Sequence, residues 1–328
     1  MNKKYSNYLI CLIIILFFFE ILNNSNLIIN TVYKSINIWF YNIVPTIFPI
    51  YLTIDLLANY NGFYYLSKLF GKFMEKVFKM KKETSFIFIL SCLSGFPSNS
   101  KYIKIMLDNK EIDLEEANKL LTFTHFSNPL FIIESIGYKF LHNKKIGIII
   151  LICHYLTNII IGLFYRNYYI NLNSIDLKKK NKTSFVICLT NSIYKTIKIL
   201  FLLLGIITFF MLITCILREK ILINSFILNI ICGLSEMTQG IFYISSSNLN
   251  IILKASIITF FISFGGISIH MQVFSILSDY KLKYSNYLLA RIFHGLISSS
   301  LVYFLLTIMW IVNNSSVFKD KKLIFKEE

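Results

Sequence analysis

Acidic residues are scarce in this chain: 17 Asp and Glu stand against 33 Lys and Arg over 328 residues, a formal charge of +16. Proline is rarer, with four in all, and tryptophan occurs twice. No C-x-x-C pair is present. The six cysteines (Cys11, Cys92, Cys153, Cys188, Cys215, Cys232) stand singly inside apolar runs, as small buried hydrophobes do, which argues against disulfides and zinc. There is no G-x-S-x-G, no H-E-x-x-H and no glycine-rich phosphate loop, and the five histidines do not pair at metal-ligand spacing. An enzyme is therefore not expected, and neither a metal nor another cofactor. The positive charge does not point to nucleic acid, because the lysines gather between apolar segments, where membrane proteins carry them on the cytoplasmic side.

What the chain has in abundance is apolar surface. It is 55% hydrophobic and 16% aromatic, with a mean hydropathy of +0.63. A soluble domain cannot bury that much, whereas a bilayer accepts it. Leu9–Leu22, Ile146–Phe164, Ile199–Leu217 and Leu296–Val312 approach the ~20 residues that a spanning helix needs. Met1–Lys4 followed by Tyr8–Leu22 imitates a signal peptide. No small-residue cleavage site follows in "NNSNLIIN", so an uncleaved first membrane helix is expected.

The two halves of the chain resemble each other. "VYKSINIWF" (Val32–Phe40) aligns with "IYKTIKILF" (Ile193–Phe201), and "LSGFPSNSKYIKIMLD" (Leu93–Asp108) with "FGGISIHMQVFSILSD" (Phe264–Asp279). Gly95 falls on Gly266 and Asp108 on Asp279. "NKLLTFTHF" (Asn118–Phe126) then matches "NYLLARIFH" (Asn286–His294). Lys3 and Lys4, the six lysines of Lys68–Lys82, the linker Arg166–Lys182 and the tail Lys319–Lys326 all belong inside. They fit one topology if the breaks near Gly95 and Gly266 are re-entrant. Lys139, Lys144 and Lys145 are left on the wrong side.

The expected fold is an all-α polytopic membrane protein, an inverted repeat with two re-entrant helical hairpins and about six full crossings. Residues 1–27 form an N-terminal membrane helix, and 28–142 the first repeat with its hairpin near Gly95. A connecting helix and basic loop occupy 143–189, the second repeat with its hairpin near Gly266 spans 190–312, and 313–328 is a basic cytoplasmic tail.

Broken helices persist in hydrocarbon only where they are buried or line a cavity. The first break carries Gly95, Pro97, Ser98, Asn99, Ser100 and Lys101, and the second Gly265, Gly266, Ser268, His270 and Gln272. Helix N-termini at such tips present free N–H groups and attract anions. The alternative is a pair of kinked helices whose glycines only permit close packing. Further candidates are Asn128 and Pro129 in "FSNPLFIIES", and Glu236 and Thr238 in "GLSEMTQG". Glu236 is suited to a coupling proton or cation, or to a structural pairing with Arg291. "GFYYLSKLFGKFMEKVFKM" (Gly62–Met80) is basic and amphipathic and is expected to lie in the membrane interface.

"SGFPSNSK", "EANKLLTFTHFSNPLFI", "HYLTNIIIG", "GLSEMTQG", "SFGGISIHMQVFSIL" and "RIFHG", in this order between residues 35 and 305, resemble the sporulation integral membrane protein YlbJ family. That family belongs to the group with the nucleoside-recognition Gate domain, similar to concentrative nucleoside transporters. The resemblance implies a protein of the mother cell of endospore formers, needed for spore maturation. It implies transport of dipicolinate, a small aromatic dianion, across the mother-cell-derived membrane around the forespore. By position it carries site roles to Gly95, Pro97, Ser98, Lys101, Asn128, Pro129, Glu236, Gly265, Gly266, Ser268 and Gln272. Asn99 and Ser100 depart from the small residues usual in the family's first motif, and Phe96 replaces a tyrosine.

The function expected is thus movement of a small anion, with dipicolinate as leading candidate, from the mother cell toward the forespore. The partners expected are that anion and the lipid bilayer. A coupling proton or cation and a homo-oligomer are compatible with this reading, and nucleic acid is not. One alternative is a nucleoside or nucleobase transporter, against which Lys101 argues. Another is a non-transporting membrane scaffold for spore assembly, against which the shortness of the longest polar stretch argues.

Overall fold

The computed structural model describes residues 3–60, 62–172, 184–221 and 224–324, and every regular element among them is a helix. The first half comprises α1 (Lys3–Asn23), α2 (Ser25–Ile38), α3 (Val44–Asn59), α4 (Gly62–Phe73), α5 (Ser85–Ser94), α6 (Ser98–Asp108) and α7 (Leu114–Phe123). The connecting helix is α8 (Lys144–Phe164). The second half comprises α9 (Phe185–Lys220), α10 (Ser225–Ser235), α11 (Met237–Ser245), α12 (Ile251–Phe264), α13 (Gly266–Ile276) and α14 (Tyr284–Ile324). Trp39–Ile43, Met74–Phe78 and Phe131–Phe140 are wound as π-helix. Most of the basic linker, residues 173–183, lies outside the described residues, as does the end of the basic tail.

The protein is an all-α polytopic membrane protein. Helices dominate because backbone N–H and C=O groups in hydrocarbon find partners only within their own segment. Among the described residues, four helical runs are long and apolar enough to cross a bilayer: Lys144–Phe164, Phe185–Lys220, Ile251–Ile276 and Tyr284–Val312. Asn7–Asn23 and Ser25–Ile43, bent by 99°, make a fifth if counted together. Lysine counting led to six. Part of the difference arises where prolines shorten an apolar run: α3 has 16 residues with Pro45 and Pro49.

The second half turns back on itself at Glu236. A Cβ on Gly240 would stand 2.2 Å from the Gly233 Cα, so α10 and α11 fold flat against each other with no room for a side chain between them. Gly265, at φ +90°, interrupts Ile251–Ile276, which remains one apolar run of 26 residues. The reversal therefore precedes the glycine pair that marked it in the sequence. Alongside, α2 runs antiparallel to α9, joined by Thr31 Oγ1 to Cys215 Sγ (3.1 Å), Ser35 to Thr208 (2.7 Å), and Trp39 Nε1 to the Leu200 carbonyl (2.8 Å).

The basic amphipathic stretch is more than a surface helix. Met74, Phe78 and Met80 are buried, and a Cβ on Gly71 would meet Lys82 Cβ at 2.6 Å, so α4 folds back over the turn that leads into α5. Its apolar face covers neighbouring helices, and Phe78 stacks on Phe123 at 4.6 Å. Beneath it, Lys81 pairs with buried Glu116 at 2.9 Å. Lys119 Nζ donates to the carbonyls of Lys79, Arg166 and Tyr169 at 3.2, 2.7 and 2.7 Å.

Asp113 caps α7. Its carboxylate accepts from Glu116 N at 2.8 Å and from the Tyr169 hydroxyl at 2.7 Å, while Glu116 accepts from Asp113 N at 3.0 Å. Asp113→Ala is expected to cost about 1 kcal/mol, read as a lower midpoint of thermal unfolding in detergent.

The far ends of the two broken helices meet. Lys104 bonds Asp279, which holds that carboxyl below its ordinary value. Tyr280 donates to Asp108 at 2.5 Å, and its phenol is pushed up to about 12 by that bond. Asp108 and Asp279 are the residues that the internal repeat aligns.

Candidate functional site

Four interruptions in helical backbone converge inside the protein: residues 95–97, 124–130, 236 and 265. Gly95, at φ +77°, lies against the second of these, where a Cβ would stand 2.5 Å from Asn128 N. Phe96 N donates to the Phe126 carbonyl at 2.6 Å, and the Phe96 ring stacks on His125 at 4.5 Å. On its other side, His125 Nε2 would be 3.0 Å from a Cβ on Gly265. A Cβ on Gly266 would be 3.1 Å from Met237 N at the tip between α10 and α11.

A cavity of about 340 Å³ opens where these breaks meet. Ser94, Phe96 and Pro97 line it from the first break, with Ser127, Asn128, Phe131, Ser135, Lys139 and Phe140 from the second and its π-helical continuation. The α10–α11 tip contributes Glu236 to Gln239, then Ile241 and Phe242; α13 contributes Ile269 and Gln272. Lys34, Ile38, Asn42, Ile43 and Ile47 close it from the α2–α3 side, and Leu203 and Ile207 from α9. The volume and the mostly apolar lining with a few convergent polar groups suit one small organic molecule.

The charges on this lining are Lys34, Lys139 and Glu236. Lys34 Nζ sits 4.6 Å from the centre of the Phe242 ring. Glu236 accepts from the Thr238 hydroxyl at 2.5 Å and from Gln239 N at 3.0 Å. It therefore occupies the N-terminus of α11 and satisfies N–H groups there itself. Asn128 Oδ1 likewise accepts from Leu130 N at 2.9 Å and Phe131 N at 3.3 Å, starting the π-helical stretch.

Pro97, Asn128, Glu236, Thr238 and Gln272 among the expected site residues line the cavity. Gly95, Gly265 and Gly266 shape the breaks around it. Ser98 and Ser100 turn their hydroxyls onto the Gly95 and Pro97 carbonyls, Asn99 bonds Thr124, and Ser268 accepts from Gln272 at 3.3 Å. His270 donates to the Phe264 carbonyl at 2.8 Å. Pro129 and these five residues do not line the cavity.

Lys101 lies elsewhere too. It is buried, 3.5 Å from Asp55 and 3.3 Å from the Tyr51 carbonyl, while Ser192 and Lys195 hold the other Asp55 oxygen at 2.8 and 3.7 Å. Arg291 does not reach Glu236; it bonds the Thr122 carbonyl and His294. Lys34 and Lys139 were not expected in the site. Lys34 was visible in the repeated "YK" pair, and Lys139 as a misfit in the lysine topology.

Comparison with known proteins gives one curated relative. The chain is 22% identical over 307 residues to the sporulation integral membrane protein YlbJ of Bacillus subtilis (strain 168), an alignment covering 82% of this chain and 75% of that protein. The chain is thus similar to YlbJ over most of its length. No protein-family model and no solved structure matches it. The aligned length exceeds what α1 or any single repeat could supply, so the YlbJ likeness takes in the broken helices that build the cavity.

Proposed function

We propose that this YlbJ-like protein is a sporulation membrane transporter that moves a small anion, dipicolinate being the best candidate, from the mother cell toward the developing forespore. Its place would be the mother-cell-derived membrane around the forespore. The observation that carries this reading is the cavity at the convergence of four helix breaks, lined by aromatic rings and two lysines. Interrupted helices meeting at a central site are the usual architecture of secondary transporters, because a break supplies both polar backbone and a hinge. Phe96, Phe131, Phe140 and Phe242 offer faces to an aromatic ring, and Lys34 and Lys139 offer charge to its carboxylates.

A nucleoside carrier is the second reading, favoured by the amides of Asn42, Asn128, Gln239 and Gln272 on the same wall. The two lysines weigh against it, since a neutral nucleoside leaves them without a counter-charge.

Uptake of dipicolinate into liposomes containing the purified protein, beside a nucleoside control, separates the two. Wild type is expected to accumulate dipicolinate and not the nucleoside. Lys34→Gln with Lys139→Gln should lower dipicolinate uptake by at least about tenfold, as each charge-assisted contact contributes ~1.5–3 kcal/mol. Nucleoside uptake that survives this double substitution would overturn the anion reading, and folded protein that moves neither compound would overturn transport of both.

A further inference from the structure

Four of the five histidines are buried together: His125 in the break after α7, His154 on α8, His270 on α13 and His294 on α14. Arg291 of α14 lies wholly buried beside them. Among the described residues, no carboxylate forms an ion pair with any of the five. Buried polar groups without carboxylates must satisfy one another, and that requirement fixes where protons sit.

Arg291 can only donate, so His294 Nδ1 accepts from it at 2.8 Å, and His294 Nε2–H donates to the His154 carbonyl at 2.9 Å. Ser127 N donates to His154 Nε2 at 3.0 Å, so His154 carries its proton on Nδ1 and gives it to Ser263 at 2.8 Å. A further proton on either ring would face another donor; both are locked neutral. His270 donates from Nε2 to the Phe264 carbonyl at 2.8 Å and meets the Tyr284 hydroxyl at Nδ1 at 3.0 Å, so both nitrogens are engaged. His125 differs. Its Nδ1 meets the Tyr287 hydroxyl at 3.1 Å, a partner that can turn, and its fully buried Nε2 has no partner.

That open nitrogen stands at a place that favours positive charge. His125 follows the C-terminal end of α7 directly and lies against Gly265, the residue that ends α12. The C-terminus of α7 directs partial negative charge at the imidazole, whereas at Gly265 the end of α12 and the start of α13 coincide and their partial charges offset. The Phe96 face stacked on it adds cation–π attraction to the protonated ring. Arg291 opposes this from α14. The other titratable groups facing the ring are His154 and His294, both held neutral by their bonds, and His270 and Tyr287.

We infer that His125 is the proton-binding site through which transport is coupled to a proton gradient. The inference rests on the transport reading. Its structural basis is position: His125 touches Phe96 on the cavity wall and the Gly265 break, so a charge on its ring acts on one wall of the cavity and on a break beside it.

The first test does not depend on transport. Protein with isotope-labelled histidine, in liposomes and with His142→Gln to remove the exposed imidazole, is followed by solid-state NMR as the pH is lowered. One buried imidazole is expected to take up a proton; its signal should vanish in His125→Asn, which can keep the Tyr287 bond, and persist in His270→Asn. Loss in His270→Asn instead, or no protonating imidazole, overturns the assignment.

The second test uses flux. In His125→Asn, dipicolinate accumulation driven by an acid-outside gradient is expected to fall by about tenfold, within the range of coupling between two sites, while exchange at equal pH on both sides is kept. Wild-type exchange that ignores the gradient overturns the coupling and leaves transport standing. Absence of exchange by folded wild type overturns transport, and the labelled imidazole then decides the proton site alone.

Discussion

Asp55→Ala is expected to cost about 3–5 kcal/mol of stability, the usual penalty for removing one partner of a buried ion pair. Asp55 accepts from Ser192 and faces two cations, but they are not equivalent. Lys195 is largely exposed and can turn into water. Lys101 cannot: its side chain is 7% exposed, enclosed by Tyr51 and the first break. Without Asp55 its ammonium is stranded. Asp55→Leu combined with Lys101→Met should recover most of the loss, because an apolar pair of similar bulk leaves no charge unmatched. Thermal unfolding of the two single variants and the double variant in detergent measures this cycle. The double variant also tests the site. If it is folded and still binds dipicolinate like wild type, Lys101 is a structural cation; if it is folded and binding is gone, Lys101 belongs to the substrate site as its place in the break suggested.

Gly240→Ala should be more damaging than its single methyl suggests. The added Cβ would lie 2.2 Å from the Gly233 Cα and 2.9 Å from both Gly233 N and the Phe261 ring. Backbone cannot step aside as the end of a flexible side chain can, so relief requires opening the α10–α11 hairpin. Overpacking ordinarily costs ~1–3 kcal/mol, and a collision with backbone is expected at or above the top of that range. The opened hairpin would carry Glu236, Ile241 and Phe242 out of the cavity wall, so binding should fail along with stability. Gly205→Ala is the control. Nothing lies within 4 Å of its would-be Cβ on α9, and replacing a mid-helix glycine there should stabilise by roughly 0.5–1 kcal/mol. Equal loss of folded protein in both variants would contradict this account.

Much of this architecture was legible in the sequence. Apolar runs gave the membrane class, and glycine or proline inside such runs marked the breaks at Gly95, Asn128, Glu236 and Gly265. Composition does not encode the angle at a break. Two consecutive glycines at 265 and 266 looked like a reversal, yet the tight turn falls at Glu236, where Gly233 and Gly240 must touch. Pairing was equally hidden. Lys101 stood out as a cation in the first break because Asp55, on a different helix, could not be matched to it by spacing. Lys34 appeared only as part of a repeated motif, and spacing could not show that its ammonium would meet the Phe242 ring of α11. The histidines at 125, 154, 270 and 294 show no periodicity, since each comes from a different element and they meet only in the assembled core.

Lys119 and Arg291 also set an order of assembly. Membrane helices are laid down as synthesis proceeds, N-terminal segments first. The turn before α5 is clasped only when Arg166 and Tyr169 have emerged to receive Lys119 with it. The break after α7 waits far longer, because the donor that closes onto the Thr122 carbonyl is Arg291, and the His154 carbonyl waits for His294. Until α14 is inserted, the centre of the molecule is a set of helices with open seams. The nascent chain has no closed core until α14 arrives.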